Sequence, residues 1–190
     1  MSKELDRVAF IGLGVMGYPM AGHLANSGKA VTVYNRTTAK AEQWLSEYAG
    51  GGECAVATTP KAAATGADVV FMCVGNDDDV RSVALGSDGA LAGMAAGSVL
   101  VDHTTASQQL AVELGAACAA ADVRFLDAPV SGGQAGAENG ALTIMLGGSE
   151  ADYHSVQGLL DVYAKKSALM GPIGAGQLTK MVNQICIAGI

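Results

Sequence analysis

The chain has 190 residues, of which 50% are hydrophobic and 15% charged, so it can bury one sizeable core. Its net charge is −7 and no run of lysine or arginine interrupts this balance, which argues against nucleic-acid binding. The first apolar run is far too short to cross a membrane, and no cleavage-site pattern follows it. The four cysteines show neither disulfide-scaffold nor metal-ligand spacing, so we expect a reduced, cytoplasmic protein with no metal site.

The predicted elements alternate between strands and helices along the chain. The first half contains a strand over 7–12, a helix over 15–27, a strand over 30–34, a helix over 38–48, a strand over 68–74 and a helix beginning at the acidic turn 77–79. The second half contains a strand over 98–101, a helix over 106–121, strands over 123–126 and 142–146, a helix over 149–162, a strand over 167–170 and a helix over 176–190.

This alternation predicts an α/β protein of the Rossmann type, a doubly wound, mostly parallel sheet with helices on both faces. The strand over 142–146 is the exception, since it follows its predecessor across a glycine-rich loop with no predicted helix. We therefore expect the sheet to be mixed at one edge.

A glycine motif of the form GxGxxG closes the first strand and opens the first helix, with the sequence Gly12-Leu13-Gly14-Val15-Met16-Gly17. In that context the motif indicates a dinucleotide site. Gly12 permits the tight turn, Gly14 lets the backbone approach the pyrophosphate, and Gly17 lets the helix pack close to the strand. The phosphates would then lie against free N–H groups at the positive end of the helix.

The end of the second strand bears on the choice of cofactor. NAD-selective sites place an acid there, about 20 residues after the motif, to bind the ribose hydroxyls. This chain has Asn35-Arg36-Thr37 instead. Asn35 can bond a hydroxyl, while Arg36 and Thr37 can bind a 2′-phosphate, for which arginine offers bidentate contacts. The sequence therefore favours NADP(H), with NAD(H) as the alternative.

Three further stretches complete a resemblance that runs in order along the entire chain. They are Asp127-Ala-Pro-Val-Ser131-Gly132-Gly133, Gly174-Ala-Gly176 and Lys180-Met-Val-Asn183-Gln184. Together with the glycine motif they closely resemble the β-hydroxyacid dehydrogenases, a family that includes 3-hydroxyisobutyrate dehydrogenase and the semialdehyde reductases.

The resemblance implies a role for each matching residue. Ser131, Gly132 and Gly133 match the loop that holds the substrate carboxylate. Lys180 matches the catalytic lysine, and Asn183 matches an asparagine that orients the substrate. Val74, Gly75 and Thr105 match positions that line the nicotinamide and its ribose.

The chemistry of a lysine at position 180 is consistent with that role. Hydride transfer to a carbonyl leaves an alkoxide that needs a proton, and a lysine with a lowered pKa can supply it or act as base in the reverse direction. Residues 180, 183 and 184 have the spacing i, i+3 and i+4, so they share one helix face. His103 is a weaker candidate for contact with the nicotinamide pocket, and Asp127 is expected at a turn or strand end.

The resemblance also implies an organisation for the chain. Residues 1–172 are expected to form the NAD(P)-binding domain, and residues 173–190 the start of an interdomain helix. Family members continue into an all-helical domain that closes the pocket and carries most of the subunit interface. Because the last helix lacks a stop signal, we expect a fragment of a homo-oligomeric enzyme with weak or no turnover alone.

Two hypotheses from different classes follow. The first is an NADP(H)-dependent oxidoreductase that interconverts a small 3-hydroxy acid, or a related hydroxy acid, and its semialdehyde or keto acid. The second is a non-catalytic dinucleotide-binding module. Among enzymes, the imine reductases usually lack the lysine, and the sugar-phosphate contacts of 6-phosphogluconate dehydrogenase lie largely beyond residue 190.

Overall fold

A computed structural model describes residues 5–189, within which nine strands form one sheet. The elements of the first half are β1 Arg7–Ile11, α1 Gly17–Asn26, β2 Ala30–Tyr34, α2 Thr38–Tyr48, β3 Cys54–Val56, α3 Pro60–Ala64, β4 Val69–Met72 and α4 Asp77–Leu85. A 3₁₀ turn at Ala90–Gly93 follows. The remaining elements are β5 Val99–Asp102, α5 Gln108–Ala120, β6 Arg124–Asp127, β7 Val130–Ser131, α6 Gly133–Glu138, β8 Leu142–Gly147, α7 Glu150–Leu160, β9 Ala164–Gly171 and α8 Ala175–Gly189.

The strands lie in the order β3-β2-β1-β4-β5-β6-β8-β7, and β9 pairs with β8. The first six are parallel to one another, as expected for strands joined by helical crossovers. β8 runs antiparallel to β6 and β7, while β9 runs parallel to β8. The structure thus confirms the predicted doubly wound fold and its mixed edge.

Both faces of the sheet are covered, because alternate side chains of each buried strand point to opposite sides. In β1, Phe10 packs with Met20, Leu24 and Trp44 under α1 and α2. Its neighbour Ile11 packs on the opposite face of the sheet, in the core under α3, α4 and α5. All four residues of β4 are buried, which explains why its sequence, Val-Val-Phe-Met, is apolar throughout.

Five short elements were not predicted, namely β3, α3, β7, α6 and the 3₁₀ turn, and β9 begins earlier than expected. The signal for α3 is present in the sequence, since Thr59 accepts a hydrogen bond from the N–H of Ala62 at 3.0 Å and Pro60 occupies the first turn. α1 begins at Gly17, so Val15 and Met16 belong to the preceding loop. The predicted helix over 176–190 is α8, and Ile190 lies outside the described residues.

The parallel strands β1, β2, β4 and β5 all end at the same edge of the sheet, and the predicted cofactor residues lie in or beside the loops that follow them. The predicted substrate loop lies instead at β7 and the start of α6, and Lys180 and Asn183 lie in α8. No helix within residues 5–189 has the length and apolarity needed to cross a membrane.

Candidate active site

The glycine loop between β1 and α1 is shaped by backbone crowding. Gly12 has a φ of +94°, and a Cβ placed there would lie 2.3 Å from the carbonyl oxygen of Cys73. A Cβ on Gly17 would lie 1.9 Å from the carbonyl oxygen of Gly12. Around Gly14, by contrast, no described atom outside residues 13–15 lies within 4 Å of a Cβ position. The loop therefore needs Gly12 and Gly17 to fold, whereas the space above Gly14 is open for a ligand to approach the backbone.

The positive end of α1 fits an anion. Within residues 5–189, no side chain caps the first turn of this ten-residue helix at Met16. The N–H of Tyr18 donates to the carbonyl of Gly14 at 3.0 Å and Pro19 has no N–H, so the helix dipole and the N–H groups that precede Tyr18 are what favour a phosphate. The open face of Gly14 lies in the same loop, so the backbone here fits the pyrophosphate of a dinucleotide.

One cavity of about 430 Å³ lies at this edge of the sheet. The predicted cofactor residues that line it are Gly12, Gly14, Val15, Met16, Asn35, Arg36, Thr37, Val74 and Gly75. Leu13 is fully buried, Gly17 lies inside the start of α1, and Thr105 is exposed on the loop after β5. Six further residues line the cavity and were not predicted: Ile11, Tyr34 and Cys73 at strand ends, and Asp79, Ser82 and Val83 of α4. A larger cavity of about 730 Å³ lies at the opposite edge of the sheet, away from these residues.

Asn35 connects the glycine loop to the end of β2. Its side-chain oxygen accepts a hydrogen bond from the N–H of Leu13 at 3.0 Å, and its amide nitrogen donates to the carbonyl of Thr37 at 3.0 Å. These contacts give Asn35 a structural role that the sequence did not indicate. Arg36 is 88% exposed, and its guanidinium lies 3.4 Å from the carboxylate of Asp79.

The loops after β4 and β5 are joined by a hydrogen-bonded chain. The N–H of Val74 donates to the hydroxyl of Thr104 at 3.0 Å, and the N–H of Thr104 donates to the carboxylate of Asp102 at 2.9 Å. Burial raises the pKa of Asp102 to about 7, against the opposing effect of the bonds from Thr104. This chain fixes the backbone at Val74 and Gly75, which line the cavity.

The N-terminus of α8 is anchored to β6 by Asp127. Its carboxylate accepts hydrogen bonds from the N–H of Gly174 at 2.7 Å and of Gln177 at 2.9 Å. Burial raises the pKa of this carboxyl, and the two donors partly offset the effect. The strand-end position predicted for Asp127 is confirmed, and its contact with the lysine helix is a finding of the structure.

Gln177 joins the same helix to the loop after β5. Its side-chain oxygen accepts from the N–H of Ala106 at 3.0 Å, and its amide nitrogen donates to the carbonyl of Thr104 at 2.7 Å. Gln177 is 3% exposed, so both bonds are shielded from water. The helix that carries Lys180 is therefore held against the loop that supports Val74.

Lys180 lies one turn further along α8 and is 7% exposed. Its amine donates to the side-chain oxygen of Gln184 at 3.1 Å, and burial lowers its pKa from the ordinary value of 10.5. On the same face, the amide nitrogen of Asn183 is buried and has no hydrogen-bond partner among the described residues. An unsatisfied buried donor is costly, and it fits a site where a polar ligand completes the bonding.

The serine–glycine loop begins at β7. Ser131 is half-buried and pairs with Thr143 of β8, while Gly132 and Gly133 are exposed and both have positive φ. The loop does not remain irregular as expected, since α6 starts at Gly133. No described atom lies within 4 Å of a Cβ position on Gly133, so its backbone is accessible.

His103 belongs to the core. Its Nδ1 donates to the carbonyl of Ala128 at 2.7 Å, its Nε2 accepts from the hydroxyl of Tyr163 at 2.8 Å, and its ring stacks on Phe71. Burial lowers the pKa of His103 to about 4, which keeps the ring neutral and matches this pattern of bonds. With both nitrogens engaged and 1% exposure, His103 does not reach the cavity as hypothesised. Within residues 5–189, no group of three or more His, Cys, Asp or Glu side chains is placed to hold a metal ion.

The role of Asp127 can be tested through stability. Asp127→Asn replaces one acceptor oxygen with a donor, which leaves one of the two buried N–H groups facing another donor. We expect the free energy of unfolding in urea to fall by about 1–3 kcal/mol. The exposed control Asp161→Asn should change it by less than about 0.5 kcal/mol. Equal values for the two variants would contradict the anchoring role.

The fold, the glycine loop and the cavity define a dinucleotide-binding domain of the Rossmann type. The sequence pattern of the NAD-binding domain of 6-phosphogluconate dehydrogenase matches residues 7–171, and the chain belongs to this family.

Relatives with similar sequences are oxidoreductases. An uncharacterised oxidoreductase from Shewanella frigidimarina is 61% identical over 98% of this chain and 62% of its own length. A probable mitochondrial 3-hydroxyisobutyrate dehydrogenase-like protein from Arabidopsis thaliana is 43% identical over 96% and 53%. The 2-(hydroxymethyl)glutarate dehydrogenase of Eubacterium barkeri is 37% identical over 98% and 60%. The predicted resemblance to the β-hydroxyacid dehydrogenases is thus confirmed.

Solved structures of such dehydrogenases are similar to this chain as well. The 3-hydroxyisobutyrate dehydrogenase of Mycobacterium tuberculosis, solved with L-serine, matches with a TM-score of 0.88 at 31% identity over 97% of this chain and 61% of that protein. The chain spans about three fifths of the length of several of these proteins.

Proposed function

We propose that this chain is the cofactor half of an NADP(H)-dependent oxidoreductase that interconverts a small 3-hydroxy acid, or a related hydroxy acid, and its semialdehyde or keto acid. The observation that carries this proposal is the buried Lys180, with its lowered pKa, on a helix held to the cofactor-side loop by Gln177. The names of relatives such as 2-(hydroxymethyl)glutarate dehydrogenase support the substrate class. A cytoplasmic homo-oligomer is part of the same proposal.

The residues divide the work between binding and proton transfer. Bound NADPH supplies the hydride. The backbone around Gly14 and the first turn of α1 would hold the pyrophosphate, and Arg36 would bind the 2′-phosphate. The amine of Lys180 donates a proton to the substrate oxygen in the reductive direction and accepts it in the oxidative one. The amide of Asn183 donates to the substrate, and Ser131 with Gly132 and Gly133 binds its carboxylate.

Cofactor binding is tested on the 190-residue chain by calorimetric titration with NADPH and NADH. We expect NADPH to bind more tightly, because NADH lacks the 2′-phosphate that Arg36 would contact. Gly14→Ala adds a methyl group where the pyrophosphate would approach, so it should weaken binding at least about tenfold with an unchanged midpoint of urea unfolding.

Gly158→Ala is the matched control, because its Cβ also enters open space, on α7 far from the cavity. It should leave affinity unchanged. A chain that binds neither nucleotide would refute the proposal. Binding without turnover of any semialdehyde, after the C-terminal region of a relative is joined to the chain, would favour the non-catalytic module instead.

A further inference from the structure

One acidic residue reaches the cofactor cavity from an element that the glycine motif does not include. Asp79 lies in the first turn of α4, where the side chain of Asn76 accepts the N–H of Asp79 at 3.0 Å and so fixes its backbone. Its carboxylate would lie 2.5 Å from a Cβ on Gly75, a residue of the cavity wall. The side chain is 33% exposed and Asp79 lines the cavity, so its charge is accessible to a ligand bound there.

The carboxylate of Asp79 also contacts Arg36, the residue expected to bind the 2′-phosphate. The guanidinium of Arg36 lies 3.4 Å from its carboxylate, although the two residues are 43 positions apart. Arg36 is 88% exposed and contacts Asp79 from the end of β2, across the mouth of the cavity. A phosphate bound at Arg36 would therefore sit beside a carboxylate of like charge.

The neighbouring acids do not share this position. The carboxylate of Asp77 accepts the N–H of Ser107 at 3.0 Å and the hydroxyl of the same residue at 2.5 Å, which ties it to the start of α5. Asp78 is 97% exposed and pairs with Arg81 on its own helix. Of the three acids at the start of α4, Asp79 is the one that lines the cavity.

We propose that Asp79 is a specificity-determining residue that narrows the preference for NADP(H) over NAD(H). It neutralises Arg36 and repels a 2′-phosphate, while its oxygens can accept a hydrogen bond from an unphosphorylated ribose 2′-hydroxyl. An acid at the end of β2 does this in NAD-selective domains. In this chain the carboxylate of Asp79 lies beside the end of β2, but it is supplied by α4. This role rests on the dinucleotide binding proposed above.

The experiment is a calorimetric titration of the 190-residue chain and its Asp79→Asn variant with NADPH and with NADH at low ionic strength. Asparagine keeps the size of the side chain and removes its charge. The affinity for NADPH should rise about three- to tenfold, and that for NADH should stay the same or fall. The gain should shrink at ~0.5 M salt, because salt screens exposed charges.

Asp78→Asn is the matched control, since it removes the same charge from the same turn of α4 outside the cavity. It should change the ratio of the two affinities by less than about twofold. Equal ratios for Asp79→Asn and Asp78→Asn, or weaker NADPH binding in Asp79→Asn, would overturn the inference while leaving the proposed function intact. A wild-type chain that binds neither nucleotide would overturn both. Should Asp79→Asn fail to fold, Asp79→Ser takes its place with the same expected outcomes.

Discussion

Lys180→Met is expected to lower turnover by about a thousandfold while cofactor affinity stays within about twofold of the original. Methionine keeps much of the length of the side chain but removes the proton that the substrate oxygen needs. The anchors of α8 at Asp127 and Gln177 do not involve Lys180, so the helix should keep its place.

Turnover is measured on residues 1–190 joined to the C-terminal region of a relative, with NADPH and a panel of semialdehydes. Lys166→Met, at an exposed position of β9, is the control and should retain full activity. Activity of Lys180→Met above about a tenth of the original would remove this residue from the mechanism.

The lowered pKa of Lys180 can be tested in two ways, by the turnover of the joined protein and by titration of the 190-residue chain alone. A general acid works only while protonated, so reductive turnover should fall as the pH rises through this pKa, below the ordinary lysine value of 10.5. Reductive ¹³C-methylation followed by NMR titration reports the pKa directly. A value at or above the ordinary one would contradict the effect of burial.

Gly17→Ala is expected to lower the free energy of unfolding by about 3 kcal/mol or more, because the new methyl group meets backbone that has no room to yield. A Cβ there lies 1.9 Å from the carbonyl oxygen of Gly12 and 3.0 Å from the ring of Phe10. Relief would require α1 to move off β1, which would open the core around Met20 and Leu24.

The measurement is equilibrium unfolding in urea, with Gly14→Ala as the matched control three residues earlier. That variant should keep its unfolding midpoint, since its methyl group enters open space. A loss of stability below about 1 kcal/mol in Gly17→Ala would show that the loop adapts more easily than its packing suggests.

The sequence predicted the fold best where local signals were long and well bounded. β2 and α2 have the predicted bounds, because alternating β-branched residues and a helical repeat each stand between clear breaks. β3 has three residues and exists because β2 offers it an edge to pair with. An element of this length is too short to show a periodicity in the sequence.

The candidate site could be predicted where its residues are close together in the sequence. It could not be predicted where it depends on contacts between residues far apart in the sequence. Four residues of the glycine motif, together with residues 35–37, line one cavity. The contact between Arg36 and Asp79, by contrast, spans 43 positions, and that between Gln177 and Thr104 spans 73. His103 shows a different error, since a polar residue after a strand was kept as a weaker candidate for the nicotinamide pocket although its partners lie in the core.

The way α8 is attached has a mechanical consequence. The helix is fixed at Gly174 and Gln177, whereas the apolar side chains further along it, such as Met181 and Ile185, are exposed. At 1.5 Å per residue, Lys180 lies ~4.5 Å from this fixed point and Gly189 lies ~18 Å from it. A ten-degree swing about the anchor would therefore move Gly189 by ~3 Å but Lys180 by less than ~1 Å. The short distance keeps the amine of Lys180 nearly in place, while the far end of the helix can move further.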